Sequence, residues 1–249
     1  MGGSFNWIDS IRFPNRLNKS FENSNKINNE SFIYEDLIQV DMLDTYMNLT
    51  LKSVALLHWS FHFCSGARFI LKCDDDIYIN VRNLHVVIQQ LDSKTPRVYG
   101  TAVTHLKPLR PALNNKSNQP ADDSDKWIVN QEMWPWSTYP TYVSGGCYLI
   151  NSRAIGPLLA AAQTTPYFPF EDLYVNGLCA RKAKMLGSIF DVVDDLLDEE
   201  FWLVANYVTW LTICAEEMAA SHLATELYFN KHQSYHKWSV IFNWTAMIE

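Results

Sequence analysis

Two apolar, strand-like runs, Ala67–Cys73 and Ile77–Ile79, are separated by three aspartates and nothing else. Adjacent carboxylates repel one another and prefer water, so an acidic cluster ordinarily marks a solvated surface. That reading suits Asp122, Asp123 and Asp125 in a polar loop. It also suits Asp191, Asp194, Asp195 and Asp198, strung along an exposed helix face. It suits Asp74, Asp75 and Asp76 poorly, because a buried strand leads straight into them and another follows. In α/β sheets the ligand crevice lies at the carboxyl ends of the strands. Carboxylates pressed together there are stabilised by a hard divalent cation, which also offsets the charge of a diphosphate. The triplet therefore points to metal binding.

The rest of the chain repeats this alternation. Phe32–Tyr34 and Leu37–Val40 predict a short strand. Asp44 is placed to cap a helix over 44–63, in which Tyr46, Leu49, Val54, Leu57 and Phe61 recur at helical spacing. After the acidic triplet come a helix marked by Leu84, Val87, Ile88 and Leu91, a strand over 98–103, and a polar loop over 104–126. A strand over 142–150, a helix over 153–163 and a helix over 171–182 follow. Strands alternating with helices predict one α/β layered domain, over 30–249, with a largely parallel sheet. Residues 1–29, rich in Asn, Ser and Lys, predict a poorly ordered lead-in.

Nearly half the residues are apolar (48%) and 14% are aromatic, enough for a sizeable core. The net charge of −7, with no long basic run, argues against a nucleic-acid partner. Five cysteines, at 64, 73, 147, 179 and 214, form no CxxC pair. Cys73 and Cys147, inside apolar runs, read as reduced buried thiols. Sequons at Asn18, Asn29, Asn48, Asn115 and Asn243 lean toward a secretory-pathway lumen. Residues 1–19 carry no apolar signal segment, and the run 201–215 reads as a buried core segment, too short to span a membrane.

Glu171 and Asp172 open a helix. First-turn acids commonly do no more than complement the helix dipole, but the pair also offers a base. Sugar transfer needs one, since a hydroxyl attacks well only when a carboxylate takes its proton. Asp172 is the candidate. Gly145–Gly146 inside a strand marks a bulge or a close backbone approach to ligand. Trp127, Trp134, Trp136 and Tyr139 cluster nearby, as core packing or as faces for sugar rings.

Five ordered blocks over 30–182 resemble one family. They are the segment from Glu30 to Lys52; Trp59 with Cys64; Lys72-Cys73-Asp74-Asp75-Asp76; Lys126-Trp127 with Tyr139 to Gly145; and Glu171 to Ala180. The chain resembles the β-1,3-galactosyltransferase and β-1,3-N-acetylglucosaminyltransferase family (glycosyltransferase family 31, Fringe-related). That resemblance implies a GT-A-type, Rossmann-like mixed sheet flanked by helices, and inverting transfer of galactose or N-acetylglucosamine. The donor would be UDP-galactose or UDP-N-acetylglucosamine, the cofactor Mn²⁺ or Mg²⁺, and the acceptor a glycan on a glycoprotein or glycolipid. It implies Asp74, Asp76 and a late histidine, His222, on the metal, with His232 and His236 as rivals. Lys72, Asp74, Asp75, Gly145 and Gly146 would face the nucleotide sugar, and Trp127, Tyr142 and Glu171 the acceptor. Asp172 matches the base, and Cys179 and Cys214 match positions often joined by a disulfide. Asn48 and Asn115 are the glycosylation candidates, although Asn48 lies in a family block where it also serves packing. The resemblance further implies a Golgi type II membrane protein with a lumenal catalytic domain. The family's opening βα unit, stem and anchor have no counterpart in residues 1–29, so an N-terminally truncated copy is expected. A non-catalytic glycan-binding or chaperone protein is the alternative.

Overall fold

The computed structural model describes residues 22–111, 123–189, 191–192, 208–212, 214–231 and 242–243. Its centre is a four-stranded sheet in the order β1-β4-β3-β5, from β1 (Phe69–Cys73), β3 (Arg97–Val103), β4 (Tyr142–Asn151) and β5 (Leu186–Ile189). Alternation along the strands divides the side chains between two faces. Ile70, Val98, Tyr148 and Ile150 point to one side and pack with α2 (Leu49–Phe63) and α4 (Ser152–Ala162). Phe69, Leu71, Tyr99 and Leu149 point to the other and meet Val87 and Leu91 of α3 (Val81–Gln90) and its end. The α2–α4 layer holds the larger core: Val54, Leu57, Ala154 and Leu158 are all 2% exposed or less. Both α3 and α4 begin on an asparagine cap, Asn80 accepting from Asn83 N–H (3.2 Å) and Asn151 from Ala154 N–H (3.1 Å).

The sheet is mixed, not largely parallel as expected. Only β3 and β5 run parallel; β4 is antiparallel to both β1 and β3. The strand-helix-strand signal of β1-α3-β3 is genuine, and those strands share a direction. They are not neighbours, because β4 inserts between them, and nothing in the local periodicity of 67–103 announces a strand forty residues later.

The strand expected at 32–40 is also absent. Helix α1 (Glu22–Tyr34) takes in Phe32, Ile33 and Tyr34, and 35–40 have no regular structure. These side chains are exposed, at 85, 65 and 67%. No described strand pairs with this segment, and the helix bonds its own amides. Asp44 does not cap α2. It pairs with Lys52 (2.8 Å), and the helix is entered through a 3₁₀ turn, Tyr46–Asn48, that follows Thr45.

A second, smaller ribbon pairs β2 (Ile77–Ile79) with β7 (Thr209–Leu211), antiparallel. Only 208–212 and 214–215 of the apolar run 201–215 are described, and they do not form a buried core segment as a whole: Leu211 is 64% exposed in an edge strand. The ribbon leads into the last helix described, Ala215–Lys231, which takes the label α6 after the short α5 (Ala180–Lys182). Asp191, placed above on a helix face, instead lies in a two-residue strand β6 (Asp191–Val192) paired with β8 (Phe242–Asn243). Among the described residues no helix is long and apolar enough to cross a membrane.

The expected Cys179–Cys214 disulfide is not formed; both thiols are free. Cys179 is 1% exposed in the main core, next to Tyr174 and Thr165, whereas Cys214 is exposed ahead of α6.

Candidate active site

Lys72 organises the site. It is the penultimate residue of β1, and its side chain is only 15% exposed. The ammonium donates to Asp74 Oδ1 and to the Gly145 carbonyl (2.6 Å), and lies 3.2 Å from Glu171 Oε1. Burial opposes its charge, but the Glu171 and Asp74 carboxylates outweigh burial, and its pKa is raised. One cation thus ties together the acidic turn, the glycine strand and the Glu171–Asp172 corner.

Gly145 carries the next link. Its N–H donates to Asp172 Oδ2 (3.0 Å), and Leu173 N–H donates to Asp172 Oδ1 (2.7 Å). A Cβ at 145 would stand 3.0 Å from Glu171 Oε1 and 3.2 Å from Asp172 Oδ2, so only glycine allows this approach. Gly146 has more room, with Ile77 Cδ1 at 3.6 Å. The bulge reading of the glycine pair holds: the β3–β4 register shifts here, between Gly100 and Ala102, opposite the pair.

Glu171 is 7% exposed. Its Oε2 accepts from Ser53 Oγ (2.9 Å) and Tyr148 Oη (3.1 Å). Burial raises its pKa, against the opposing pull of Lys72 and Ser53. Burial likewise raises that of Asp172, against its hydrogen bonds from Leu173 and Gly145. Both stand at the start of a seven-residue π-helix, Leu173–Cys179, a wide turn that recurs at functional sites. Glu171 is the more buried of the two, and both carboxylates line the cleft.

The cleft, of about 450 Å³, is lined by Lys72, Asp74, Gly145, Glu171, Asp172 and an aromatic rim. Trp127 and Tyr142, predicted on the acceptor side, belong to that rim, and Gly146 lines it too. Trp127 Nε1 donates to Tyr46 Oη (2.7 Å), and Lys126 lies over both rings, 5.2 Å from Tyr46 and 5.0 Å from Trp127. Burial, reinforced by Asp172, raises the Tyr142 pKa and keeps that phenol a neutral donor. Trp134 and Tyr139 are 7% exposed and pack with Phe168, so for them core packing prevails.

Asp75 and Asp76 are exposed on the turn and do not line the cleft. The Asp76 carbonyl accepts from Thr212 N–H (2.7 Å) and Thr212 Oγ1 (3.0 Å), which fastens the turn to β7. His222, on α6, approaches Tyr78 Oη with Nδ1 (3.5 Å). Among the described residues no three His, Cys, Asp or Glu side chains converge as a ready-made metal cage, so His222 is not brought to Asp74 and Asp76. The exposed carboxylates of the turn nonetheless suit a hard cation that takes one or two protein oxygens and completes its shell with substrate phosphates and water. His232, His236 and Asn115 lie outside the described residues. Asn48 Nδ2 donates to the Leu43 carbonyl (2.8 Å), a packing role ahead of α2.

Sequence reading missed Ser53 and Tyr148 as partners of Glu171, and Lys107 and Leu106 in the cleft wall. Ser53 was marked only by being polar on the buried face of an apolar helix.

Such a cleft, with an acidic turn at one end and a buried carboxylate at the other, can hold an anionic leaving group and deprotonate a nucleophile. Comparison with known proteins narrows the class. The sequence profile described as Galactosyltransferase matches residues 18–187, and the chain belongs to that family. Similar proteins include the lactosylceramide 1,3-N-acetyl-beta-D-glucosaminyltransferase of Mus musculus, 31% identical over 204 residues, 82% of this chain and 50% of the relative. The beta-1,3-galactosyltransferase 5 of Mus musculus is 31% identical over 156 residues, 63% of this chain and 47% of the relative. An acetylgalactosaminyl-O-glycosyl-glycoprotein beta-1,3-N-acetylglucosaminyltransferase of Mus musculus is 32% identical over 158 residues, 62% of this chain and 37% of the relative. The chain therefore spans half or less of the length of these relatives.

Proposed function

We propose that this chain is the catalytic part of an inverting, metal-dependent hexosyltransferase of GT-A type. It would move galactose or N-acetylglucosamine from a UDP-sugar to a hydroxyl of an acceptor glycan, forming a β-1,3 linkage. The observation that carries the reading is the chain of contacts from Asp74 through Lys72 and Gly145 to Asp172, which puts an acidic turn and a buried carboxylate on one cleft. The names of the relatives include both sugars, and both lipid and glycoprotein acceptors, which supports the substrate class and leaves the donor open.

Asp74 and Asp76 would hold Mn²⁺ or Mg²⁺, which when bound offsets the charge of the departing diphosphate. Trp127 and Tyr142 orient the acceptor sugar by ring stacking and hydrogen bonding. Asp172 takes the proton of the acceptor hydroxyl as its oxygen attacks the anomeric carbon from the face opposite the diphosphate. A carbon–oxygen bond forms, the bond to the diphosphate oxygen breaks, and the configuration inverts. Lys72 holds Asp74 in place and balances Glu171. We place this activity in the Golgi lumen on a type II membrane protein, in keeping with the sequons and the family.

The test is a transfer assay with each UDP-sugar and Mn²⁺, with and without a chelator. Asp76→Ala and Asp172→Asn should each abolish transfer while UDP binding by Asp172→Asn persists. Full activity in Asp172→Asn removes the base assignment. UDP or glycan binding with no transfer in the unmutated chain favours the non-catalytic alternative.

A further inference from the structure

Cys73 and Cys147 stand directly opposite each other on β1 and β4. Asp74 N–H donates to Gly146 O (2.9 Å) and Ser152 N–H to Arg68 O (2.9 Å), so those residue pairs are hydrogen-bonded rungs of the ladder. In an antiparallel pair, hydrogen-bonded and non-hydrogen-bonded rungs alternate. Cys73–Cys147, one rung before Asp74–Gly146, is therefore non-hydrogen-bonded, the position where facing side chains come closest. The Cα spacing typical of such a rung, about 4.5 Å, lies inside the range that disulfides span. Both thiols are free and half-buried, and they are close enough to interact. The transfer chemistry uses neither.

We propose that Cys73 and Cys147 are a disulfide-forming pair that locks the acidic turn to the glycine strand. Cys73 immediately precedes Asp74 and Cys147 immediately follows Gly146, so the bond would add a covalent tie between two segments otherwise joined by the strand ladder and by Lys72. The oxidant is a small-molecule disulfide. One cysteine sulfur, as thiolate, attacks it; a mixed disulfide forms and one small thiol leaves. The second cysteine sulfur attacks the mixed disulfide, the Sγ–Sγ bond forms and the second small thiol leaves. The protein loses two hydrogens and two electrons, and the external disulfide gains them as two thiols. The strands are already in register, so the bond forms without a change of topology.

The experiment uses the full chain equilibrated in defined mixtures of reduced and oxidised glutathione, quenched by alkylation and mapped by mass spectrometry without reduction. The expected result is a peptide pair linked through residues 73 and 147, and a urea midpoint higher than that of the reduced chain. In Cys147→Ser, Cys73 should instead carry a glutathione adduct. Alkylation of both cysteines at every mixture, or separate glutathione adducts on each in the unmutated chain, overturns the proposal. A linked peptide with no rise in the midpoint overturns the locking role. Mass and midpoint are read without any transfer assay, so a failure here is separate from a failure of the proposed activity.

Discussion

Asp172 is held by two backbone N–H groups and half enclosed by protein, and these act on its proton in opposite senses. Burial favours the neutral acid and prevails, so the folded pKa lies above the ordinary aspartate value. A base must be ionised to act. The acid limb of kcat/KM should therefore sit above the ordinary aspartate value, with transfer falling as the pH drops through it. A limb at or below the ordinary aspartate value would contradict the assignment. Stability follows the same shift with its own sign. A carboxyl whose folded pKa is raised contributes stability that is present below its unfolded pKa and lost as the pH rises through the folded one. Asp172 and Glu171 thus oppose folding at neutral pH, and Asp172→Asn should unfold at an equal or higher urea concentration than the parent at pH 7. Gly145 and Gly146 separate packing from activity. Gly145→Ala would push into Glu171 and Asp172 and should reduce transfer by about tenfold or more. Gly146→Ala meets only Ile77 at ordinary contact distance and should lower transfer less than Gly145→Ala does. Equal losses in both would refute the distinction.

Asn151 joins three elements at the β4–α4 junction. It is fully buried; Oδ1 accepts from Ala154 N–H (3.1 Å) and Arg97 N–H (3.2 Å), while Nδ2 donates to the carbonyls of Asp92 (3.2 Å) and Thr95. One side chain caps α4, steadies the start of β3 and holds the turn that follows α3. Replacing it with alanine takes the partner from the buried Ala154 N–H and from three part-buried backbone groups, at a cost of about 1–3 kcal/mol. Urea titration measures this; a loss below about 0.5 kcal/mol would show that water or a shifted turn supplies the missing bonds.

At the scale of the whole molecule, the described part of the C-terminal segment is fastened to the acidic turn and to the start of α3. Thr212 holds Asp76, Asn80 N–H donates to Val208 O (2.7 Å), and Arg82 grips both carboxylate oxygens of Glu226 (3.0 Å each) while lying 5.1 Å from the Phe229 ring. The ion pair is partly exposed, so breaking it costs about 1 kcal/mol or less in global stability. Local opening is more sensitive than global unfolding. Arg82→Glu should speed proteolytic cleavage within 208–231 while the cooperative unfolding of the sheet hardly moves. Unchanged cleavage would show that β7 alone holds the segment.

Local apolar periodicity made most elements from 69 to 182 legible, because strand and helix repeats are properties of contiguous residues. The acidic triplet between two strands and the Glu171–Asp172 corner were legible for the same reason: unusual charge placed where burial was expected. Sequence by itself therefore determined the family and most of the elements between 69 and 182, and it singled out the carboxylates on which the proposed function rests. It did not determine the insertion of β4 between β1 and β3, which is a choice among distant pairings. Nor did it reveal that Ser53 and Tyr148 would satisfy Glu171, or that Cys73 would face Cys147, since partners far apart in the chain carry no local signal. Phe32–Tyr34 illustrates the converse: an apolar run with strand character is helical here, and no strand among the described residues pairs with it. Cys179 and Cys214 illustrate it again, because burial of one and exposure of the other is decided only when the chain closes on itself.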